Sequence, residues 1–410
     1  MKITTTIRLG LVGTMLMCTF GLWAAEPETV PVETKPVQEI SVDADKPLVQ
    51  MAILLDTSGS MSGLIDQART ELWSIVNEFI FAQRQGKQPE VQVALYEYGK
   101  SALAREGGYI RQIVPLTTDL DKISEELFAL TTNGGDEYCG WVIQEAAQEL
   151  RWSDAPDDLK VIFVAGNEPF TQGPVDYKGA CAKAIARGIV VNTIHCGPDQ
   201  QGIDGKWKDG AVLADGRYLN IDHNRQVVHI EAPQDKEIAE LGARLNLTYI
   251  PYGRHGAVAQ ERQMAQDGNA MQASPQAVVQ RAVTKSSANY TNTGWDLVDA
   301  VQAQQVDLKN AEPEDLPENM RTMSTEQRHA YVKDQAGQRA KIQAQIQHLN
   351  EQRRKFVAQE LQKRQGDGQT LGAAIKEAIR EQARKKNYTF QAPTGTAPAQ
   401  EGETQQEQAR

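Results

Sequence analysis

The stretch that decides the fold is "LVQMAILLDTSGSMSG", residues 48–63, in which an apolar run ends at an acidic residue and a loop of small residues follows. The run is almost continuously apolar over the length of a strand, the pattern of a strand buried on both faces of a sheet. From Ile65 to Ile80, apolar residues recur at every third or fourth position, which predicts an amphipathic helix. A buried strand therefore leads through a polar loop into a helix, and Asp56 stands at the junction.

The same alternation of strands and helices continues along the chain. Later runs predict strands at 91–98, 109–114, 159–165 and 189–194, and "LTYIPY" predicts a last strand at 247–252. Because crossovers between parallel strands are right-handed and place helices over the sheet, we expect a doubly wound, mostly parallel α/β sheet covered on both faces. In such sheets the functional crevice lies beyond the carboxyl ends of the strands, which is where the loop after Asp56 stands.

The first 25 residues are typical of a secretory signal peptide. Lys2 and Arg8 precede an apolar run from Leu9 to Trp23, and two alanines follow it. The run is too short and wrongly flanked for a membrane-spanning helix. No later stretch approaches spanning length, so we expect a mature chain without a membrane span in the periplasm or secreted from the cell.

The rest of the chain divides by composition. We expect a disordered tether at 26–45, the α/β domain at 46–255, a helical or irregular linker at 256–320, a helical hairpin or coiled-coil region at 321–390 and a disordered tail at 391–410. The two helices of the hairpin have short apolar seams: Ile342, Ile346, Leu349 and Phe356 on the first, and Leu371, Ile375 and Ile379 on the second. The second helix can cover only half of the first, so the other half either packs on the α/β domain or binds a partner or a second subunit, and we expect a partner or a second subunit.

Charge and cysteine content restrict the class of protein. The chain has 43 Lys and Arg against 54 Asp and Glu, a net charge of −11, which makes nucleic acid an improbable partner. Removal of Cys18 with the signal leaves an odd number of cysteines, Cys139, Cys181 and Cys196. At most one intramolecular disulfide can then form, and Cys181 could pair with either of the other two.

The loop after the first strand suits a hard metal ion. Asp56, Ser58 and Ser60 alternate, so on a curled loop their oxygen atoms can converge on one point. One carboxylate and two hydroxyls are ligands that Mg²⁺ or Mn²⁺ prefers, and they offer nothing that selects zinc or copper. The alternative is a polar turn whose side chains only satisfy backbone groups.

Residues 48–253 resemble von Willebrand factor type A domains, whose metal-ion-dependent adhesion site begins with Asp-x-Ser-x-Ser at the end of the first strand. The resemblance implies a Rossmann-like domain with ligands from two further loops. In the second loop, "TTNGGDEYCG" at 131–140, Asp136 matches the acidic residue of one subgroup, and Thr132 is the alternative donor. The third loop departs from the pattern, because "AGNEP" at 165–169 has Gly166 where the family has Asp. Asn167 or Glu168 could take its place.

The resemblance implies a protein-interaction module that binds Mg²⁺, or Mn²⁺ or Ca²⁺, and uses the ion to recruit a carboxylate of a protein partner. The alternative is a scaffold in which the metal is structural and the C-terminal helices bind the partner or self-associate. A metal-dependent hydrolase is less favoured, and we name no catalytic residue. "GSMSG" places Met61 where a nucleophilic serine belongs, and "YGKS" at 98–101 lacks the first glycine of a phosphate-binding loop.

Overall fold

A computed structural model of the chain describes residues 46–224, 229–363 and 370–390. The predicted signal peptide, tether and C-terminal tail lie outside the described residues. Within those residues, no helix has both the length and the apolar character needed to cross a membrane.

The strands and helices alternate over the first half of the described chain, and helices dominate the second half. The strands are β1 (Leu48–Asp56), β2 (Ala82–Gln83), β3 (Glu90–Tyr98), β4 (Ile110–Thr117), β5 (Leu159–Gly166), β6 (Ile189–Cys196), β7 (Tyr218–Ile221) and β8 (Thr389–Phe390). The helices are α1 (Ser62–Asn77), α2 (Leu120–Ala129), α3 (Cys139–Glu149), α4 (Tyr177–Ala186), α5 (Asp199–Asp204), α6 (Trp207–Leu213), α7 (Asp235–Asn246), α8 (Gly256–Ala273), α9 (Pro275–Lys285), α10 (Leu297–Gln302), α11 (Glu318–Arg321), α12 (Thr325–Lys363) and α13 (Leu371–Lys385).

The main sheet has the strand order β4-β3-β1-β5-β6-β7. All neighbouring strands in it are parallel except β3 and β4, which are antiparallel. One face is covered by α1, α2 and α13, and the other face by α3, α4 and α6. This arrangement confirms the predicted doubly wound, mostly parallel Rossmann-like sheet. Because β1 lies between β3 and β5, the loops that follow these three strands meet at one edge of the sheet.

The predicted strand at 247–252 is wrong, and the last strand of the sheet is β7, which lies earlier in the chain. Residues 247–252 form only one isolated bridge, between Pro251 and Asp296. The apolar side chains of this segment are nonetheless buried, because Tyr249 packs in one cluster among helices and Ile250 in another. Adjacent apolar residues in an extended segment point to opposite sides, and here helices rather than strands supply the neighbours on both sides.

The predicted hairpin of C-terminal helices is also wrong. The apolar residues of α13, including Ile375 and Ile379, lie in the same core as β1 and α1. On its flank, Lys376 faces Glu71 on α1, and Arg380 faces Glu78, the residue after α1. The seam of α12 packs elsewhere, against α7, α9 and α10. Matched apolar faces on two helices indicate that each is buried, but they do not say against what.

The half of the α12 seam that we expected to bind a partner or a second subunit is occupied by the chain itself. Val332 and Ile342 are buried, Val332 among residues of α10 and Ile342 among residues of α7 and α9. The segment expected to be a linker, 256–320, also packs on the domain, because α8 and α9 contact α1. Val332 and Ile342 are therefore not exposed for self-association.

Cys139, Cys181 and Cys196 are buried free thiols, so no disulfide is present among them. Cys139 and Cys181 lie in the core on one face of the sheet, and Cys196 lies in the core on the other face.

Candidate metal site

The first loop turns sharply after β1 and holds Asp56 beneath it. Asp56 is fully buried, and its Oδ1 accepts a hydrogen bond of 2.7 Å from the backbone N–H of Ser58. The N–H of Met61 then bonds to the carbonyl of Ser58, and α1 begins one residue later. Asp56 Oδ2 is buried without a hydrogen-bond partner among the described residues. A buried carboxylate oxygen left unpaired is costly, which indicates a place for a ligand.

The two serines of this loop face the third loop, which follows β5. Ser58 Oγ lies 3.5 Å from Ser60 Oγ, and Asn167 Nδ2 donates to Ser60 Oγ at 3.2 Å. The other amide atom, Asn167 Oδ1, is buried without a partner among the described residues. The structure therefore brings Asn167 to the serines, whereas Glu168 is exposed at the rim.

The acidic residue that the second loop brings beside Asp56 is Glu137, which the sequence analysis did not identify. A Cβ atom on Gly99 would lie 2.7 Å from Glu137 Cγ and 2.9 Å from Asp56 Oδ1, so the two carboxylates crowd the same glycine. Glu137 is only 5% exposed, and its Oε2 also has no partner among the described residues. Its backbone N–H donates to Gln172 Oε1 at 2.6 Å, which fixes the direction of the loop.

The second-loop residues favoured from the sequence lie elsewhere. Asp136 is exposed, and its Oδ2 accepts a hydrogen bond of 3.2 Å from Tyr138 Oη. Thr132 is partly exposed, and none of the site contacts described above involves it. Of these second-loop residues, it is therefore Glu137 rather than Asp136 or Thr132 that the structure brings beside Asp56.

The electrostatics of the site follow from two acids buried together. Burial raises the pKa of Asp56 to about 6, and the charge of Glu168 acts in the same direction. Burial and the charge of Asp56 raise the pKa of Glu137 to about 9. Both carboxyl groups would ionise more readily beside a cation.

The position of Tyr98 explains why the third loop has glycine rather than aspartate at residue 166. A Cβ atom there would lie 2.5 Å from Tyr98 Oη and 3.1 Å from Asp56 Oδ2. The Tyr98 hydroxyl is held in place because it donates to the carbonyl of Ala165 at 3.0 Å. The phenol of Tyr98 therefore occupies the space that a side chain at Gly166 would need, and the second acid comes from Glu137 instead.

The first loop is tied to its neighbours through Thr57. Its backbone N–H donates to the carbonyl of Tyr98, and its carbonyl accepts from the N–H of Asn133 in the second loop. Thr57 Oγ1 donates to Glu97 Oε2 at 3.1 Å, and the other oxygen of this buried carboxylate pairs with Arg111 at 2.6 Å. The loop is thus held before any ligand binds, which is the condition for a precise binding site.

These residues fit a hard divalent cation. The described chain contains no cluster of three or more His, Cys, Asp or Glu side chains suited to a metal ion, so any site must draw on other oxygens. Such a mixed set is present, with carboxylate oxygens from Asp56 and Glu137, hydroxyls from Ser58 and Ser60, and the amide oxygen of Asn167. All are oxygen donors, and Mg²⁺ binds such sets through one or two carboxylates while keeping some water.

Comparison with known proteins identifies the domain. Residues 50–204 match the family model of the von Willebrand factor type A domain. No curated protein matches this sequence. Among solved structures, the chain is similar to the conserved hypothetical protein BatB from Bacteroides thetaiotaomicron, with 17% identity over 42% of this chain and 90% of that chain and a TM-score of 0.32.

Two further structures are similar over the same share of the chain. An aerotolerance-related membrane protein from Bacteroides fragilis has 16% identity over 43% of this chain and 93% of that chain, with a TM-score of 0.30. Proximal thread matrix protein 1 from the mussel byssus has 13% identity over 43% of this chain and 42% of that chain, with a TM-score of 0.33. The chain thus spans less than half of the mussel protein.

Proposed function

We propose that the von Willebrand factor type A domain of this chain binds Mg²⁺ and through it holds a protein partner. The ligands in this proposal are Asp56, Ser58, Ser60, Glu137 and Asn167. The observation that carries it is the pair of buried carboxylates whose oxygens, Asp56 Oδ2 and Glu137 Oε2, lack partners among the described residues.

The need for a cation follows from the charges around the loop. Glu97, the buried acid that holds Thr57, has two basic partners, since Arg111 lies 2.6 Å and Lys100 lies 3.9 Å from its carboxylate. Asp56 and Glu137 have no such basic partner among the described residues, and in the metal-free protein burial and the charge of Asp56 raise the pKa of Glu137 to about 9, so that it holds a proton at neutral pH. A divalent cation balances both charges, and when bound it offers a coordination position to an oxygen of a partner. Mn²⁺ or Ca²⁺ are the alternatives to Mg²⁺ for this oxygen set.

We propose a binding protein rather than an enzyme, with a carboxylate of a protein partner as the group that approaches the ion. We also propose that the chain is exported to the periplasm or secreted, on the basis of the pattern in residues 1–25. Mass spectrometry of the protein isolated from the cell envelope tests this placement, because cleavage would leave a new N-terminus near residue 26. The alternative scaffold, in which the C-terminal helices bind the partner, is not favoured because Ile342 and Ile346 are buried within the chain.

Calorimetric titration of EDTA-treated protein with MgCl₂ tests the metal proposal. We expect one site in the wild type, and a loss of measurable binding in Asp56→Asn and in Glu137→Gln. Asp136→Asn changes the neighbouring acid by the same chemistry and is expected to bind Mg²⁺ like the wild type. If Glu137→Gln binds normally and Asp136→Asn does not, the ligand assignment is wrong. If the wild type does not bind Mg²⁺, Mn²⁺ or Ca²⁺, the metal proposal is wrong.

A further inference from the structure

A cluster of three aromatic side chains begins one residue after the proposed ligand Glu137. Tyr138, the residue after Glu137, stacks on Trp141 with ring centroids 6.3 Å apart and planes 5° apart, and Tyr109 meets Tyr138 edge-on at 5.8 Å. All three are only partly buried. We call Tyr109, Tyr138 and Trp141 the aromatic platform. Partly exposed aromatic clusters of this kind often supply the main anchoring contacts of protein interfaces.

The platform is held rigidly by two glycine backbones. A Cβ on Gly108 would lie 2.7 Å from ring atoms of Trp141, and a Cβ on Gly173 would lie 2.6 Å from ring atoms of Tyr138. Both glycines also have positive φ angles, of 69° and 95°, that other residues rarely adopt. The backbone of two loops therefore packs directly on the rings. A platform fixed in this way loses little conformational entropy when a partner binds.

The polar edges of the platform bond to carboxylates. Tyr138 Oη donates to Asp136 Oδ2 at 3.2 Å, and Trp141 Nε1 donates to Glu145 Oε1 at 2.9 Å. These negative charges add to the negative potential that an aromatic ring already has on its faces. Burial and Asp136 raise the pKa of Tyr138, and the positive charge of Arg105 lowers it. The hydrogen-bonded charges at the ring edges are nevertheless both negative.

We propose that the aromatic platform receives a lysine or arginine side chain of the protein partner, next to the position at which the partner's oxygen reaches the metal ion. This inference rests on the proposed function and specifies the class of partner, a polypeptide segment that presents a basic side chain. Continuity supports it, because Tyr138 directly follows the proposed ligand Glu137 in the chain. Charge complementarity supports it as well, since a cation gains from the exposed parts of the rings and from the two carboxylates.

An apolar partner fits the platform less well. A leucine or phenylalanine side chain laid on the rings would bring Asp136 and Glu145 out of water without neutralising them, and that desolvation is unfavourable. A basic side chain neutralises them instead. Discrimination between a charged and an uncharged side chain of similar length is therefore the property to measure.

The probes are two peptides, Ac-Gly-Lys-Gly-NH₂ and the same peptide with norleucine in place of lysine. Neither has a carboxylate, so neither needs the metal ion in order to bind the platform. Binding to the full chain is followed through the indole N–H signal of Trp141 in an NMR titration, with MgCl₂ and with EDTA. We expect the lysine peptide to bind about three- to fivefold more tightly than the norleucine peptide, the range of an exposed cation–π contact. Equal affinities would overturn the proposal.

Variants separate the rings from the charges. Glu145→Gln keeps the aromatic platform and is expected to narrow the preference for lysine, whereas Trp141→Leu is expected to abolish it. Because Trp141→Leu also removes the reporter signal, that variant is measured by competition against a fluorescein-labelled lysine peptide. Tyr331→Leu, at a partly exposed tyrosine on α12, is the matched control and should keep the wild-type preference. An unchanged preference for the lysine peptide in both Glu145→Gln and Trp141→Leu would overturn the proposal.

The metal titration keeps this inference distinguishable from the proposed function. A wild-type protein that binds Mg²⁺ but does not distinguish the peptides overturns the aromatic platform and leaves the metal site. A wild-type protein that prefers the lysine peptide but binds no divalent cation keeps the platform and overturns the metal site.

Discussion

Replacing Glu137 by glutamine should make the metal-free protein more stable, although it removes a proposed ligand. Glutamine keeps the shape of the side chain but removes the charge that is buried against Asp56. Burial and that neighbouring charge raise the pKa of Glu137 from 4.5 to about 9. At pH 7 the wild type must therefore take up a proton at Glu137 in order to fold, whereas the variant need not.

The size of the effect follows from the pKa. The carboxyl group is ionised in the unfolded chain at pH 7, and protonating it there costs about 3 kcal/mol, since pH 7 lies roughly 2.5 pH units above its ordinary pKa. Because the pKa is raised in the folded state, the metal-free wild type should be most stable below pH 4.5 and should lose stability as the pH rises through about 9. The stability of the Glu137→Gln variant should fall much less over this pH range.

Thermal unfolding followed by circular dichroism, at pH 5, 7 and 9 and with either EDTA or MgCl₂, provides the measurement. In EDTA at pH 7 the variant should melt roughly 5 °C above the wild type, the shift that about 3 kcal/mol produces in a chain of this size. Added MgCl₂ should raise the melting temperature of the wild type and leave that of the variant unchanged. The reasoning would be refuted if the variant melted below the wild type in EDTA. It would also be refuted if Mg²⁺ raised the melting temperature of the variant as much as that of the wild type.

Other predictions test the surroundings of the site and the core. Gly166→Asp should lower the free energy of unfolding in urea by about 2 kcal/mol, because the new Cβ atom meets the Tyr98 hydroxyl. The double variant Gly166→Asp/Tyr98→Phe should recover part of that loss. Arg281→Met should cost about 3–5 kcal/mol in the same assay, since it leaves buried Asp121 without its ion pair. Ile375→Ala should cost about 2–5 kcal/mol if α13 belongs to the domain core, and an unchanged unfolding midpoint would contradict that packing.

The sheet could be predicted because buried parallel strands leave a strong pattern in the sequence. The apolar runs of β1 and β5 are eight or nine residues long and lie next to each other in the structure. β7 was missed because its four residues, Tyr218–Ile221, are too few to establish a pattern. The apolar pattern of the segment containing Tyr249 and Ile250 predicts a strand, but these two residues enter two different clusters formed with helices.

The candidate site was predictable only in part, for a reason that lies in loop geometry. The alternation of Asp56, Ser58 and Ser60 follows a strand, so the position of this loop at the edge of the sheet could be inferred. Asp136 and Glu137 are neighbours of the same charge, and their order does not say which side chain turns inward. The contact of the Glu137 backbone with Gln172 decides it, and that contact joins residues 35 positions apart.

The place of α13 in the core also bears on the order in which the chain folds. The N–H of Leu371 bonds to Gln67 Oε1 across 304 residues of sequence. Contacts between such distant residues slow folding, because a long loop must close before they form. During synthesis α1 and the central strands emerge first, and their apolar surface stays uncovered until almost the whole chain has followed. The nascent protein therefore has a prolonged period of exposure to aggregation, and a chaperone that covers α1 would be most useful during that interval.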